Sequence, residues 1–246
     1  MSENDYFKKR AVSASLIKEC LKSPLHGYAF LNEPREQTAA MALGSLVHAL
    51  VLEPETASFH VLPKGKRTTP EDLAEAGSKM IVREQQLEEA KQIASSVLSS
   101  PVAKELLKGA KVEVSLSFDV DGTPCKSKID AVNGETLIEL KTANDLYARD
   151  FASTIIRNDY HTQLAFYREA LRRNGHNIKR VVVIQATTDA PFICRVFELE
   201  DLYLDAGDRR INKVFDVAAK LIEGWKPEQP TQTEKLMLPE WAKEML

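Results

Sequence analysis

Val112, Val114, Leu116 and Phe118 alternate with polar residues, and Asp121-Gly122, a pair favoured in tight hairpin turns, follows at once. This period of two predicts strands over about 111–119, 124–133 and 136–142. Upstream the period lengthens. A short helix is expected over 12–21, with Ser13 as its N-cap and Ser23-Pro24 as its terminator, and a second over about 36–53, ended by Pro54. Ala39, Ala40, Met41, Leu43, Leu46, Val47, Leu50 and Val51 cover more than one stripe of that second helix, which predicts burial on several sides. A polar, basic loop over 63–70 comes next, then a largely helical stretch over 71–99 and a short helix over 101–108. Beyond the hairpins, helices are expected over about 145–157 and 160–174, the latter ended by Gly175. The apolar run Val181-Val182-Val183-Ile184 reads as a buried strand. A further strand over about 192–198, a long helix over about 200–223 and a proline-containing tail, Leu238-Pro239-Glu240-Trp241-Ala242, complete the chain.

This order predicts an α/β fold, a mixed central β-sheet flanked by helices with a helical N-terminal region. One domain over 1–246 is expected: a mainly helical leader (1–110), a sheet and catalytic core (111–200) and a C-terminal helix and tail (200–246).

Charge adds little to this picture. A net charge of −3 and a pI near 6.0 give no global attraction to nucleic acid, so any DNA-facing surface must be local. Between 141 and 180 basic residues outnumber acidic ones, which marks either such a surface or a pair of solvated helices. Cys20, Cys125 and Cys194 lie far apart with no C-x-x-C pair, which argues against a disulfide framework or a zinc ribbon and for a reducing cytoplasm. A charged first ten residues and the lack of a long apolar run predict neither a signal peptide nor a membrane span.

The candidate chemistry sits in the hairpin. Asp130 closes one predicted strand and Glu139-Leu140-Lys141 lies in the next, with Glu139 and Lys141 on one face and Leu140 on the other. Two carboxylates and an ammonium at this spacing suit phosphodiester hydrolysis: oxygen ligands hold a hard cation that polarises phosphate and acidifies water, while the lysine orients or deprotonates that water. Taken alone, an acidic-apolar-basic triplet is also what a solvated strand face presents. Gln163 shares a helix face with Tyr160, Leu164, Tyr167 and Leu171, and an amide in an apolar stripe requires a partner, either structural or at the reaction centre. His48 lies on a mostly apolar helix, as a core residue or as a nitrogen ligand. His26, His60, His161 and His176 show no ligand spacing, and the 63–70 loop lacks the spacing of a phosphate-binding P-loop.

The segment Ala42-Leu43-Gly44-Ser45-Leu46-Val47-His48-Ala49-Leu50-Val51-Leu52-Glu53-Pro54-Glu55, then Asp130, Glu139-Leu140-Lys141 and Gln163-x-x-x-Tyr167, resembles in content and order the RecE-type branch of the PD-(D/E)xK nucleases. That branch is related to lambda exonuclease and to the nuclease domain of RecB, and the resemblance runs from Ser13-Ala14-Ser15 to the Leu-Pro-x-Trp-Ala tail. Ile129 stands where the family pattern has proline, a position that is not a ligand. The resemblance implies a restriction-endonuclease-like fold and 5′-to-3′ digestion of one strand of duplex DNA, leaving a 3′ single-stranded tail for a single-strand annealing protein in recombination. It implies that His48, Asp130, Glu139 and the Leu140 carbonyl bind metal, that Lys141 acts on the water, and that Gln163 lies at the centre with Tyr167 packed on it. It further implies Mg²⁺, with Mn²⁺ able to substitute and two ions per site, a ring-shaped homo-oligomer of three or four subunits on DNA ends, and a cytoplasmic protein encoded by a bacterial host or its phage. Ser15 resembles a serine that holds a terminal 5′ phosphate, with Arg10 or Lys8 as the matching cation; Lys128 and Tyr167 are the remaining candidate DNA contacts. Two alternatives stand beside this reading, an endonuclease or junction resolvase with the same metal site, and a non-catalytic DNA-binding assembly module.

Overall fold

The structure, a computed structural model, describes residues 9–34, 37–77, 79–145, 147–231, 233, 235–237 and 239. Lys8 and most of the Leu-Pro-x-Trp-Ala tail therefore lie outside the described residues.

Among the described residues three helices come first: α1 (Ala14–Lys22), α2 (Pro24–Asn32) and α3 (Ala39–Leu52). Ser13 caps α1, its hydroxyl accepting from the Leu16 amide at 3.2 Å. The Ser23-Pro24 pair ends α1 as expected, and it also starts α2. Ser23 accepts from the His26 amide while Pro24 occupies the first turn, where a missing N–H costs nothing. Next come β1 (Phe59–Leu62), α4 (Pro70–Ala76), β2 (Met80–Arg83), α5 (Glu84–Ser99) and α6 (Pro101–Leu107). The stretch read as continuous helix over 71–99 is thus interrupted by β2, which pairs in parallel with β1 as a separate two-stranded sheet.

The main sheet follows: β3 (Lys111–Val120), β4 (Thr123–Asn133) and β5 (Thr136–Thr142), then α7 (Ala148–Arg157) and α8 (Tyr160–Arg173), then β6 (Arg180–Ala186), β7 (Cys194–Glu198) and α9 (Asp201–Ile222). The strands are ordered β3-β4-β5-β6-β7, and every neighbouring pair is antiparallel except β5–β6. That parallel pair needs a long crossover, supplied by α7 and α8. The mixed α/β architecture expected from the sequence is therefore present.

Alternation along the strands divides the core into two layers. Leu137, Val181 and Val183 join Leu16, Ile17, Phe151, Leu164 and Leu171 of the layer built by α1, α7, α8 and α9. Ile138, Leu140 and Ile184 join Leu46, Val47, Ile93 and Val97 of the layer built by α3 and α5. The segment before α1 is seated on the sheet: the Val12 amide donates to the Pro124 carbonyl at 2.9 Å, and the Lys126 amide donates to the Val12 carbonyl at 2.8 Å. Helix α1 is thereby placed beside β4 in the same layer as α8, and α3 lies over the other face of β5. His48 of α3 and Gln163 of α8 reach the hairpin that carries Asp130 and Glu139.

Candidate active site

The β4–β5 hairpin pairs Ala131 with Ile138 and Val132 with Leu137, leaving Asp130 beside the start of Glu139-Leu140-Lys141. The carboxylate is tied to that strand directly, because the Leu140 amide donates to Asp130 Oδ2 at 2.8 Å. Glu139 is only 1% exposed, and one of its oxygens, Oε1, takes both the Lys141 ammonium, at close contact, and the Gln163 amide at 2.8 Å. Gln163 Nε2 also reaches the Tyr167 hydroxyl at 3.0 Å. The glutamine in the apolar stripe of α8 therefore has its partner, and that partner is the candidate catalytic glutamate. Lys141 in addition overlies the ring of Tyr160, 4.8 Å from its centre.

His48 reaches the same point from α3. Its Nε2 lies 2.9 Å from the Leu140 carbonyl and its Nδ1 3.5 Å from Asp130 Oδ1. A carbonyl oxygen only accepts, so Nε2 carries a proton and Nδ1 faces the carboxylate. The Leu140 carbonyl, read as a metal ligand, thus already accepts one hydrogen bond, and its second lone pair is the one left for a cation.

One acid joins the group without having been singled out from the sequence. Glu113 lies opposite Asp130 in the β3–β4 register, where Val112 pairs with Ala131 and Val114 with Ile129. Its backbone is left-handed, with φ of 49°, a conformation a glutamate adopts only at some cost. His48, Glu113 and Asp130 each offer a ligand atom, all within 4.8 Å of one another. Glu113 also holds Lys128 in an ion pair at 2.7 Å. The hairpin register could have exposed Glu113 as a carboxylate facing Asp130; the backbone twist has no signature in its residue type.

The electrostatics follow from four charges in a small dry volume. Burial drives the Glu139 carboxyl up to about 7, with the negative charge of Asp130 adding to the effect and Lys141 opposing it. Burial also disfavours charge on Asp130, but His48 and Lys141 more than offset it and hold that carboxyl below its usual range. For His48 the same contest ends in favour of the charged form, because Asp130 outweighs burial. Lys141 keeps its proton against burial through Glu139 and Asp130. Burial raises Glu113 as well, against the pull of Lys128.

The donor set fits a hard divalent cation. Asp130 and Glu113 supply oxygens, His48 a nitrogen, and Glu139 Oε2 is buried without a hydrogen-bond partner, an orphan that a cation would satisfy. His48, Glu113 and Asp130 line a cavity of about 620 Å³ together with Lys141, Gly44, Met80 and Tyr160.

Residues 13–238 match the family described as a PDDEXK-like domain of unknown function, DUF3799. The chain belongs to this PDDEXK-like family. The five-stranded mixed sheet and its flanking helices accordingly form a restriction-endonuclease-like fold. A crystal structure of a protein designated as an exonuclease from Eubacterium rectale superposes with a TM-score of 0.72 at 16% identity, over 97% of this chain and 96% of that one. At that identity the correspondence shows the fold. A phage-related exonuclease from Haemophilus somnus aligns over 87% of this chain and 93% of that one at 11% identity, and LHK-Exo, crystallised with dAMP, over 89% and 94% at 12%; TM-scores of 0.40 and 0.39 leave both without weight. No curated protein sequence matches this PDDEXK-like domain.

A second cavity, of about 630 Å³, borders the site. Ser15, Lys126, Lys128 and Tyr167 line it, together with Lys9 and Arg10. Lys128 lines both cavities. The structure thus brings Ser15, Lys128 and Tyr167 together as candidates for one binding region. Arg10 is at the wall, but its guanidinium donates to the Leu221 and Ile222 carbonyls at 2.9 Å each and is engaged in capping α9. Lys126, which the sequence reading did not single out, donates to the Lys9 carbonyl at 2.6 Å.

Proposed function

We propose that this PDDEXK-like domain is a divalent-metal-dependent deoxyribonuclease that digests one strand of duplex DNA from its 5′ end, releasing 5′-phosphates and leaving a 3′ single-stranded tail. The observation that carries the reading is the adjacency of two cavities with different chemistry, joined at Lys128. One gathers carboxylates and a histidine, and the other gathers lysines and a serine hydroxyl. A terminal phosphate bears more negative charge than an internal one, so a pocket of cations and hydroxyl donors next to a cutting site suits an enzyme that starts at an end. Lys126 and Lys128 take the cationic role in this pocket beside Arg10, whose guanidinium also caps α9, and Ser15 takes the hydroxyl role.

A bound Mg²⁺ or Mn²⁺ supplies Lewis acidity and a water of lowered pKa. Asp130, Glu139, Glu113 and His48 would hold it, with two ions as the fuller arrangement and the Leu140 carbonyl as a further donor. Lys141 is placed by Glu139 and the Tyr160 ring to orient the attacking water and offset charge on the phosphate. Gln163 keeps Glu139 in one rotamer, with Tyr167 fixing the glutamine in turn. The strand-annealing partner, the ring-shaped oligomer and a role in recombination belong to this same reading.

End-labelled linear duplex with 5′ phosphates, the same duplex with 5′ hydroxyls, and covalently closed circles, each incubated with Mg²⁺, test it. Faster loss of the 5′-phosphorylated duplex with circles left intact is expected. Cleavage of closed circles would favour an endonuclease or junction resolvase, and no cleavage with retained binding would favour a DNA-binding module.

A further inference from the structure

Lys18 lies one helical turn beyond Ser15 on α1 and is half-buried. Its ammonium sits 5.3 Å from the centre of the Tyr160 ring, the same ring that the Lys141 ammonium overlies at 4.8 Å. Residues three apart share a helix face. The face of α1 that presents Ser15 to the cationic cavity therefore also brings Lys18 to Tyr160, a wall residue of the metal-site cavity.

Two ammonium groups on one aromatic ring need a reason. A cation–π contact is enough to place one lysine but not to favour collecting a second beside it. Three acids lie near Lys18: Glu19 pairs with Lys22 at 2.8 Å, Asp159 with Arg210 at 2.6 Å, and Glu139 with Lys141 through one of its two oxygens. Burial, and then the charge of Lys141, push the Lys18 ammonium down to about 8, with Asp159, Glu139 and Glu19 pulling the other way. An anion lying between the two would turn this repulsion into attraction on both sides.

We propose that Lys18 is a second phosphate-binding cation of the site: its ammonium takes a non-bridging oxygen of the same backbone phosphate that Lys141 contacts, and the Tyr160 ring spaces the two lysines around it. This deepens the nuclease reading and rests on it. The substrate phosphate is then gripped from the α1 side as well as from β5, and α1 links end recognition at Ser15 to the reacting phosphate at Lys18.

The experiment is fluorescence anisotropy on a labelled linear duplex with Ca²⁺ in place of the catalytic metal, across a series of salt concentrations, for the unmodified protein, Lys18→Met and Lys18→Arg, each checked for folding by thermal melting. Lys18→Met is expected to bind about tenfold more weakly at fixed salt. Its slope of log affinity against log salt should be shallower by about 0.9, the loss of one phosphate contact. Lys18→Arg should restore the slope. Lys18→Gln takes the place of the methionine variant if melting shows that the latter has unfolded. An unchanged slope in a folded variant, with the unmodified protein binding and cutting DNA, would overturn the assignment and leave Lys18 a packing residue. Unmodified protein that neither binds nor cuts duplex would remove the nuclease reading along with it.

Discussion

Asp130 accepts from the Leu140 amide on one oxygen and faces His48 on the other, so it is held at the meeting point of β4, β5 and α3. Asp130→Ala and Lys141→Ala should each lower cleavage by about a thousandfold or more while melting close to the unmodified protein, as expected for groups that act on the transition state. Gel assays with matched melting curves check this, and turnover near the unmodified rate in either folded variant would refute the assignment. His48→Ala should weaken Mn²⁺ binding by at least about tenfold, with cleavage partly recovered at higher Mn²⁺. Calorimetric titration separates that result from a core role, in which melting falls and metal affinity does not. Glu139 gives a pH signature. Its folded value of about 7 lies above its ordinary unfolded value, so the native state binds the extra proton and this group withdraws stability as pH rises from about 4.5 to 7. Metal-free Glu139→Gln should therefore lose stability less steeply than the unmodified protein across that window in melting scans, and parallel curves would contradict the assigned burial. These residue types and spacings were legible in the sequence, as was the need of Gln163 for a partner. Glu113 was legible only through the β3–β4 register that sets it opposite Asp130, and its left-handed backbone was not legible at all.

Among the elements, the period-two strands were legible almost to the residue, since alternation and the Asp121-Gly122 turn leave little freedom in register. Helix α2 escaped because Pro24 was read only as a stop, although after a capping serine it is equally a start. Strands β1 and β2 escaped because four-residue strands that pair only with each other leave too short a pattern. The helix pair α8–α9 carries a further consequence. A β-carbon at Gly207 of α9 would lie 2.5 Å from the His161 carbonyl oxygen on α8, a backbone atom that cannot turn aside. Gly207→Ala should destabilise the protein by about 1 to 3 kcal/mol. Because α8 carries Gln163 and Tyr167, the variant should also lose activity beyond what its unfolded fraction explains. Melting and specific activity measured on one preparation check the two effects together.

For the whole molecule, a mildly acidic chain confines its candidate DNA-facing charge to a local region, the cationic cavity behind the metal site. Lys126→Ala should reduce the rate advantage of 5′-phosphorylated over 5′-hydroxyl duplex about tenfold and leave cutting of the hydroxyl substrate little changed, since only the terminal phosphate reaches that pocket. Initial rates on the two substrates measure this, and a proportional loss on both would place Lys126 elsewhere on the DNA. Composition gave no sign of this cavity, because it is built from α1, β4 and α8, which are distant in sequence and meet only when Val12 is seated on Pro124 and Lys126.

The parallel pairing of β5 with β6 sets the timing of all this during synthesis. The side chains of the proposed centre have all been synthesised once Tyr167 is added, yet β5 acquires its second neighbour only when 180–186 follow and the crossover closes. Until then the strand bearing Glu139 and Lys141 has an unpaired edge, and the dry surroundings that set their charges are incomplete. A nascent chain should hold every reactive group and remain harmless to the DNA around it. A chain stopped at residue 175 should accordingly bind Mn²⁺ far more weakly than the full chain, placing the onset of cutting power in the last third of translation.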